Sequence, residues 1–150
     1  MIWIPLQKLM GFSPFKNVVW ITLDSPITKQ EVAESIKLKR FNKNYLDPAY
    51  LVPRQSHIDR VAHLVMAGWK DAIQLDVGVP ELGCYVNWVI TDGHHRLAAA
   101  IYRGDKQIFA NISGSLDYAV ERGFLNSVEQ YDEALKKMDE TSLSSGAGEV

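Results

Sequence analysis

Asp92-Gly93-His94-His95-Arg96 places a carboxylate, a glycine, two imidazoles and a guanidinium side by side, and Leu97-Ala98-Ala99-Ala100 follows at once. The apolar pair Val89-Ile90 before it and the alanine-rich pattern after it predict a strand that turns into a helix near His94. The first-turn amides of such a helix have no partners within it, and the positive end of the helix dipole lies there. An anion satisfies both, so the pattern points to phosphate binding. Gly93 would let an oxyanion approach the backbone, Arg96 would fork onto its oxygens, and His94 and His95 would donate to them or carry a proton. The plain alternative is a surface helix capped by Asp92, with two exposed histidines. Successive helical residues diverge by about 100 degrees, so the two histidines do not share one metal ion. A magnesium ion would instead use Asp92, phosphate oxygens and water.

The surrounding sequence must hold this turn in place. Val18 to Leu23, rich in β-branched and aromatic residues and ending at Asp24-Ser25-Pro26, reads as an early strand. Thr28 and Glu31 form a capping-box pattern ahead of Val32, Ala33 and Ile36, so a helix starts there. Lys37, Lys39, Arg40 and Lys43 then make a basic loop, or an arm over a site, with Asn42, Asn44, Asp47 and Pro48 ending any helix. Ser56 and Asp59 give a second capping signature, followed by a core stripe of Ile58, Val61, Ala62, Val65 and Met66 that stops at Gly68. Ile73, Leu75, Val77 and Val79 alternate as a half-buried strand. Pro80 to Gly83 reads as a loop and Tyr85 to Ile90 as a second strand, the two forming a hairpin. Beyond the histidines, Leu97, Ala100 and Ile101 share a helix face, Gly104 ends it, and Ile108, Ala110 and Ile112 mark a last strand closing at Ser113-Gly114. Ser127 to Met138 carries Tyr131, Ala134, Leu135 and Met138 at helical spacing, and the Ser- and Gly-rich end from about Thr141 reads as a disordered tail.

Composition bounds the rest. A chain of 150 residues, 47% hydrophobic, is enough for one domain with a real core, here residues 1–140 of an α+β fold. A net charge of -2 argues against coating nucleic acid or membrane by bulk charge. One cysteine, Cys84, excludes an internal disulfide framework, and no segment reaches the roughly 20 apolar residues of a membrane span. The expectation is a cytoplasmic protein.

The succession helix, Gly68, strand, hairpin strand, Asp92-Gly93-His94-His95-Arg96, helix, Gly104, strand resembles the ParB/sulfiredoxin superfamily over roughly Trp3 to Gly114. The resemblance implies a small mixed sheet packed with helices and a Gly-X-X-Arg turn that holds nucleotide phosphates. Its members include CTP-binding partition proteins, sulfiredoxins, ADP-dependent free-serine kinases and ParB-like nucleases of plasmids and phages. Sulfiredoxins carry a catalytic cysteine where this chain has His94, and partition proteins carry a glutamate in their turn, so the motif is most similar to the kinase-like branch and to short plasmid and phage proteins. The likeness implies that Asp92 lies near the acceptor hydroxyl and that Glu31 matches the catalytic base, against its plain reading as a capping partner. Leu51-Val52-Pro53-Arg54-Gln55 is similar to a family box whose arginine or glutamine faces the nucleotide, which makes Arg54 and Gln55 binding candidates, or exposed loop residues.

Three classes of function follow. The first is a nucleotide-binding protein that hydrolyses ATP, ADP or CTP, or transfers a phosphoryl group, with Mg2+ as cofactor. The second is a ParB-like DNA-binding or nuclease protein that contacts DNA through Lys37, Lys39, Arg40 and Lys43. The third is a non-catalytic regulator in which nucleotide switches a protein partner or homodimer surface.

Overall fold

Ile2 and Ile4 are buried while Trp3 and Pro5 face out, and this period of two makes Ile2–Pro5 the first strand, β1, of the computed structural model, which describes residues 1–47 and 50–137. A 3-10 turn over Leu6–Phe12 follows and buries Leu6 and Leu9. α1 (Lys29–Lys37) starts as its sequence demands: Thr28 Oγ1 accepts the Glu31 amide while the Glu31 carboxylate accepts from the Thr28 amide. α2 (Arg54–Ala67) ends at Gly68, whose φ of 75 degrees releases the chain from the helix.

β2 (Ile73–Asp76) pairs antiparallel with β5 (Ile90–Asp92), so the expected hairpin partners are neighbours. The excursion between them carries a two-strand ribbon of β3 (Gly78–Val79) and β4 (Cys84–Tyr85) around a 3-10 turn at Pro80–Leu82. α3 (His94–Arg103) leads through Gly104 to β6 (Gln107–Ser113), and α4 (Leu116–Glu121) and α5 (128–137) complete the α+β fold. The main sheet runs β1-β6-β2-β5, with β6 antiparallel to β1 and parallel to β2.

α3 divides the interior in two. Leu97, Ala100 and Ile101 face the sheet core of Ile4, Ile73, Leu75, Ile108 and Ala110, while Ala98 and Ala99 belong to a second cluster with Ile27, Val32, Ile58 and Val61. The alanine run is what lets two layers close on one helix, since a larger side chain at Ala98 or Ala99 would hold α2 away. Tyr131 of α5 is buried, and its hydroxyl accepts from the Ile112 amide and donates to the Ile112 carbonyl, closing the β6 edge where pairing with β1 has ended.

Four local expectations are corrected. Val18 to Leu23 is an irregular turn, not a strand: Leu23 bonds back to the Trp20 carbonyl at 3.1 Å, and Trp20 and Leu23 pack on the helix cluster while Val18 and Ile21 are exposed. α2 begins at Arg54 rather than behind Ser56, with Pro53 before it and no side-chain cap; Asp59 serves Ser35 and Gln55 instead. Its buried face is Ile58, Val61, Ala62 and Leu64, while Val65 is only half-buried and Met66 lies in solvent. The strand expected from Tyr85 to Ile90 is split, because Val86 to Val89 crosses from the ribbon to the sheet. Met138 and the tail expected beyond Thr141 lie outside the described residues.

Candidate functional site

β5 delivers the chain to Gly93, the residue before α3, at φ 107 degrees and ψ 22 degrees. A Cβ there would lie 2.5 Å from Ile73 Cγ2, so this position is glycine because strand β2 packs against its inner side. No side chain caps the helix at Gly93, and Leu97 N–H is the first α3 amide to bond back, to the Gly93 carbonyl at 2.8 Å. Asp92 is therefore not the cap. Its Oδ2 accepts from Arg96 Nη2 at 2.9 Å, one turn along.

Arg96 is less free than its sequence position implies. Its Nη1 donates to the carbonyls of Asp71 and Ala72 at 3.1 and 3.0 Å, and only 15% of its side chain is exposed. The guanidinium thus ties the start of α3 to the start of β2. It still lines a cavity of about 180 Å³ with Arg60, Tyr45, Trp69, Asp92, Gly93 and His95. A second cavity of about 190 Å³ shares Tyr45, Asp92, Gly93 and His95 and adds Trp20, Leu46, His57 and His94. Each is smaller than the ~300–1,000 Å³ of small-molecule sites, but the shared lining makes them two compartments on either side of one turn.

The consecutive histidines diverge as helical geometry requires. His94 Nε2 accepts from Trp88 Nε1–H at 2.9 Å, with the rings 23 degrees apart in plane. His95 Nε2 lies 2.9 Å from Nδ1 of His57, and the Trp20 indole covers both rings at centroid distances of 4.6 and 4.4 Å. Burial pushes the pKa of His57 down to about 4. Burial also holds His95 well below the ordinary imidazole value, helped by His57 and by the cations Arg60 and Arg96. His94 is lowered by burial too, against the opposing pull of Asp92. All three imidazoles are consequently neutral at physiological pH; the lone pair of His94 is taken by the Trp88 N–H, and the bond between His57 and His95 leaves one lone pair of that pair free.

The other expected site residues are engaged elsewhere. Glu31 takes a two-pronged bond from Arg54, at 2.8 Å from Nε and 2.7 Å from Nη2, and this arginine is the first cause of its lowered pKa. The same guanidinium donates to the carbonyls of Ser25 and Pro26, so Arg54 and Glu31 bind α1, α2 and the preceding loop together. Gln55 donates to Asp59 Oδ1 at 2.7 Å beside the buried Ser35. Neither compartment at Gly93 is lined by Glu31, Arg54 or Gln55. Lys37, Lys39 and Lys43 are exposed, whereas Arg40 turns toward Asp59 at 4.0 Å. Cys84 is exposed on β4 and lines neither compartment. Among the described residues no group of three or more His, Cys, Asp or Glu side chains could hold a metal ion, and no helix is long and apolar enough to cross a membrane.

Sequence reasoning missed His57, Trp20, Tyr45 and Arg60. A signal existed for two of them: His57, Arg60, Val61 and Leu64 recur at helical spacing on a face adjoining the expected stripe. Trp20 and Tyr45 sit on irregular segments, where periodicity carries no information. The basic loop reaches the site as an arm: Arg60 Nη1 donates to the Lys43 carbonyl at 2.9 Å, and Tyr45 and Leu46 beyond it line the second compartment.

Comparison with protein-family models, with curated proteins and with solved structures finds no match.

Proposed function

We propose that this chain binds the phosphate end of a nucleotide at the start of α3 and hydrolyses it or transfers a phosphoryl group, as the resemblance of Asp92 to Arg96 to the ParB/sulfiredoxin superfamily implies. The observation that carries the reading is the uncapped first turn of α3, set between two compartments with Arg60 and Arg96 beside it. The amides of His94, His95 and Arg96 would hold phosphate oxygens, and the two arginines would supply positive field rather than a free fork. Asp92, with 51% of its side chain exposed, would hold Mg2+ together with phosphate oxygens and water, the metal neutralising phosphate charge. A neutral imidazole beside the turn accepts the proton of the attacking hydroxyl or water as the new P–O bond forms and the P–O bond to the departing nucleotide phosphate breaks, so that nucleophile and base converge on one turn.

Calorimetric titration with ATP, ADP, CTP and GTP, each with magnesium, followed by product analysis, tests this. The expected result is one nucleotide bound per chain, displaced by inorganic pyrophosphate, with release of phosphate or of a phosphorylated acceptor. Absence of heat with all four at millimolar concentration overturns it. A DNA-processing reading draws on the exposed Lys37, Lys39 and Lys43 at the end of α1. It requires metal-dependent nicking of plasmid DNA whose binding weakens steeply with salt.

A further inference from the structure

We infer that His57 and His95 form a two-imidazole proton relay, in which the base at the start of α3 is recharged through α2. The inference rests on the proposed phosphoryl chemistry for its use, but the hydrogen-bond count that defines it does not.

Nδ1 of His57 and Nε2 of His95 lie 2.9 Å apart, with ring planes 15 degrees apart. Two neutral imidazoles at that distance must place one hydrogen between those nitrogens, because two lone pairs or two N–H groups facing each other would repel. The outer nitrogens are then fixed as well. If His95 donates inward from Nε2, its Nδ1 is a bare lone pair and His57 carries its hydrogen on Nε2. If His57 donates inward from Nδ1, its Nε2 is bare and His95 carries its hydrogen on Nδ1. The pair therefore always presents one acceptor and one donor at its two ends, and both rings hold the same tautomer.

The two rings share one cavity and each borders another of its own. His95 lines both compartments at Gly93, whereas His57 lines the second of them and a further cavity of about 170 Å³ bounded by Val19, Ile21, Tyr50 and Val52. Among the described residues Arg40 Nε is the sole buried side-chain nitrogen or oxygen without a hydrogen-bond partner, so neither outer imidazole nitrogen is sealed away. Arg60 and Arg96 lie on the His95 side and favour the arrangement with its lone pair outward. Trp20 covers the shared face of the pair, which keeps water from breaking the inner bond.

The transfer balances without a charged intermediate at the end points. As the attacking oxygen forms its bond to phosphorus and the P–O bond to the departing nucleotide phosphate breaks, the hydrogen of the attacking group passes to Nδ1 of His95. The hydrogen on Nε2 of His95 moves to Nδ1 of His57, and the hydrogen on Nε2 of His57 leaves to water in the cavity beside Val19 and Tyr50. Both rings end as neutral Nδ1–H tautomers; the reverse passage, from water at Nε2 of His57, hands the Nδ1 hydrogen of His95 to the departing phosphate oxygen and resets them. His57 is a positioning and relay residue; His95 is the one that meets the substrate.

Long-range proton–nitrogen NMR of the nitrogen-labelled chain at neutral pH reads the two tautomers directly. Identical tautomers at His57 and His95 are expected; opposite tautomers, or a cationic ring in either, overturn the relay. The second arm uses His57→Asn, whose amide can occupy the place of Nδ1 and bond His95 but cannot pass a proton through itself, with His57→Phe alongside. Nucleotide affinity is expected to stay within about twofold in the folded Asn variant while kcat falls at least tenfold and KM holds. Wild-type kcat in His57→Asn overturns the relay and leaves orientation alone. Failure of the nucleotide reading is distinct: the wild type would then bind none of the nucleotides, with the tautomer result unaffected.

Discussion

Arg54 and Arg96 show how differently one residue type can act in neighbouring helices. Arg54 reaches Glu31, Ser25 and Pro26 from the first residue of α2, so its bonds hold segments together and none is directed at the Gly93 turn. Arg54→Ala should therefore lower stability, by about 1–3 kcal/mol from the lost charge-assisted bonds, while nucleotide affinity stays at the wild-type value. Urea unfolding and calorimetry on the same preparation check both halves, and a large loss of affinity would return Arg54 to the binding site. Arg96 combines the two roles. Its bonds to Asp71, Ala72 and Asp92 orient the turn while its charge faces the compartment beside it. Replacing it with alanine is expected to weaken nucleotide binding at least tenfold and also lower the unfolding midpoint, so affinity must be read on the folded fraction.

At the level of the element, the turn from β5 into α3 is set by close packing. Gly93 holds a left-handed φ, and the space a Cβ would need is filled by Ile73 of β2. Gly93→Ala combines backbone strain with overpacking, each about 1–3 kcal/mol, and the expected loss is about 2–6 kcal/mol with the start of α3 displaced. Denaturant unfolding measures the first part, and loss of the His95 amide shift in an NMR spectrum reports the second. Unchanged stability would mean that β2 yields at Ile73. α1 is simpler: its reciprocal Thr28 and Glu31 cap is local, so Thr28→Ala should cost about 1 kcal/mol without altering the site.

For the whole molecule, buried neutral histidines make stability depend on pH in a defined window. The pKa of His57 is about 4 in the folded protein against 6.5 when unfolded. Between those values the unfolded chain binds the extra proton, so stability is complete above about 6.5 and falls as pH drops toward 4. His95 moves in the same direction and adds to the slope. Glu31, lowered by Arg54, also contributes stability that is present above the usual carboxylate pKa and lost below it, at more acid pH. Urea midpoints should thus decline between pH 6.5 and 5 before most carboxylates titrate, and His57→Asn should flatten that decline. A flat wild-type profile across this range would show that the imidazoles are more solvated than their packing against Trp20 indicates.

Local pattern was enough to determine much of this chain. The α+β class, α1 with its cap, the ends of α2 and α3 at Gly68 and Gly104, the alternation of β2 and β6, and the helix beginning at His94 all follow from spacing that neighbouring residues impose on each other. Tertiary structure decided what spacing cannot encode. Ile2–Pro5 became a strand by pairing with β6, whereas Val18 to Leu23 pairs with no strand and lays Trp20 and Leu23 on the helix cluster. The candidate site divided in the same way. Its turn was legible because it is contiguous, but the partners of His95 come from positions 20 and 57, and the hydrogen bonds and desolvation that set its protonation exist only once those distant segments are packed together.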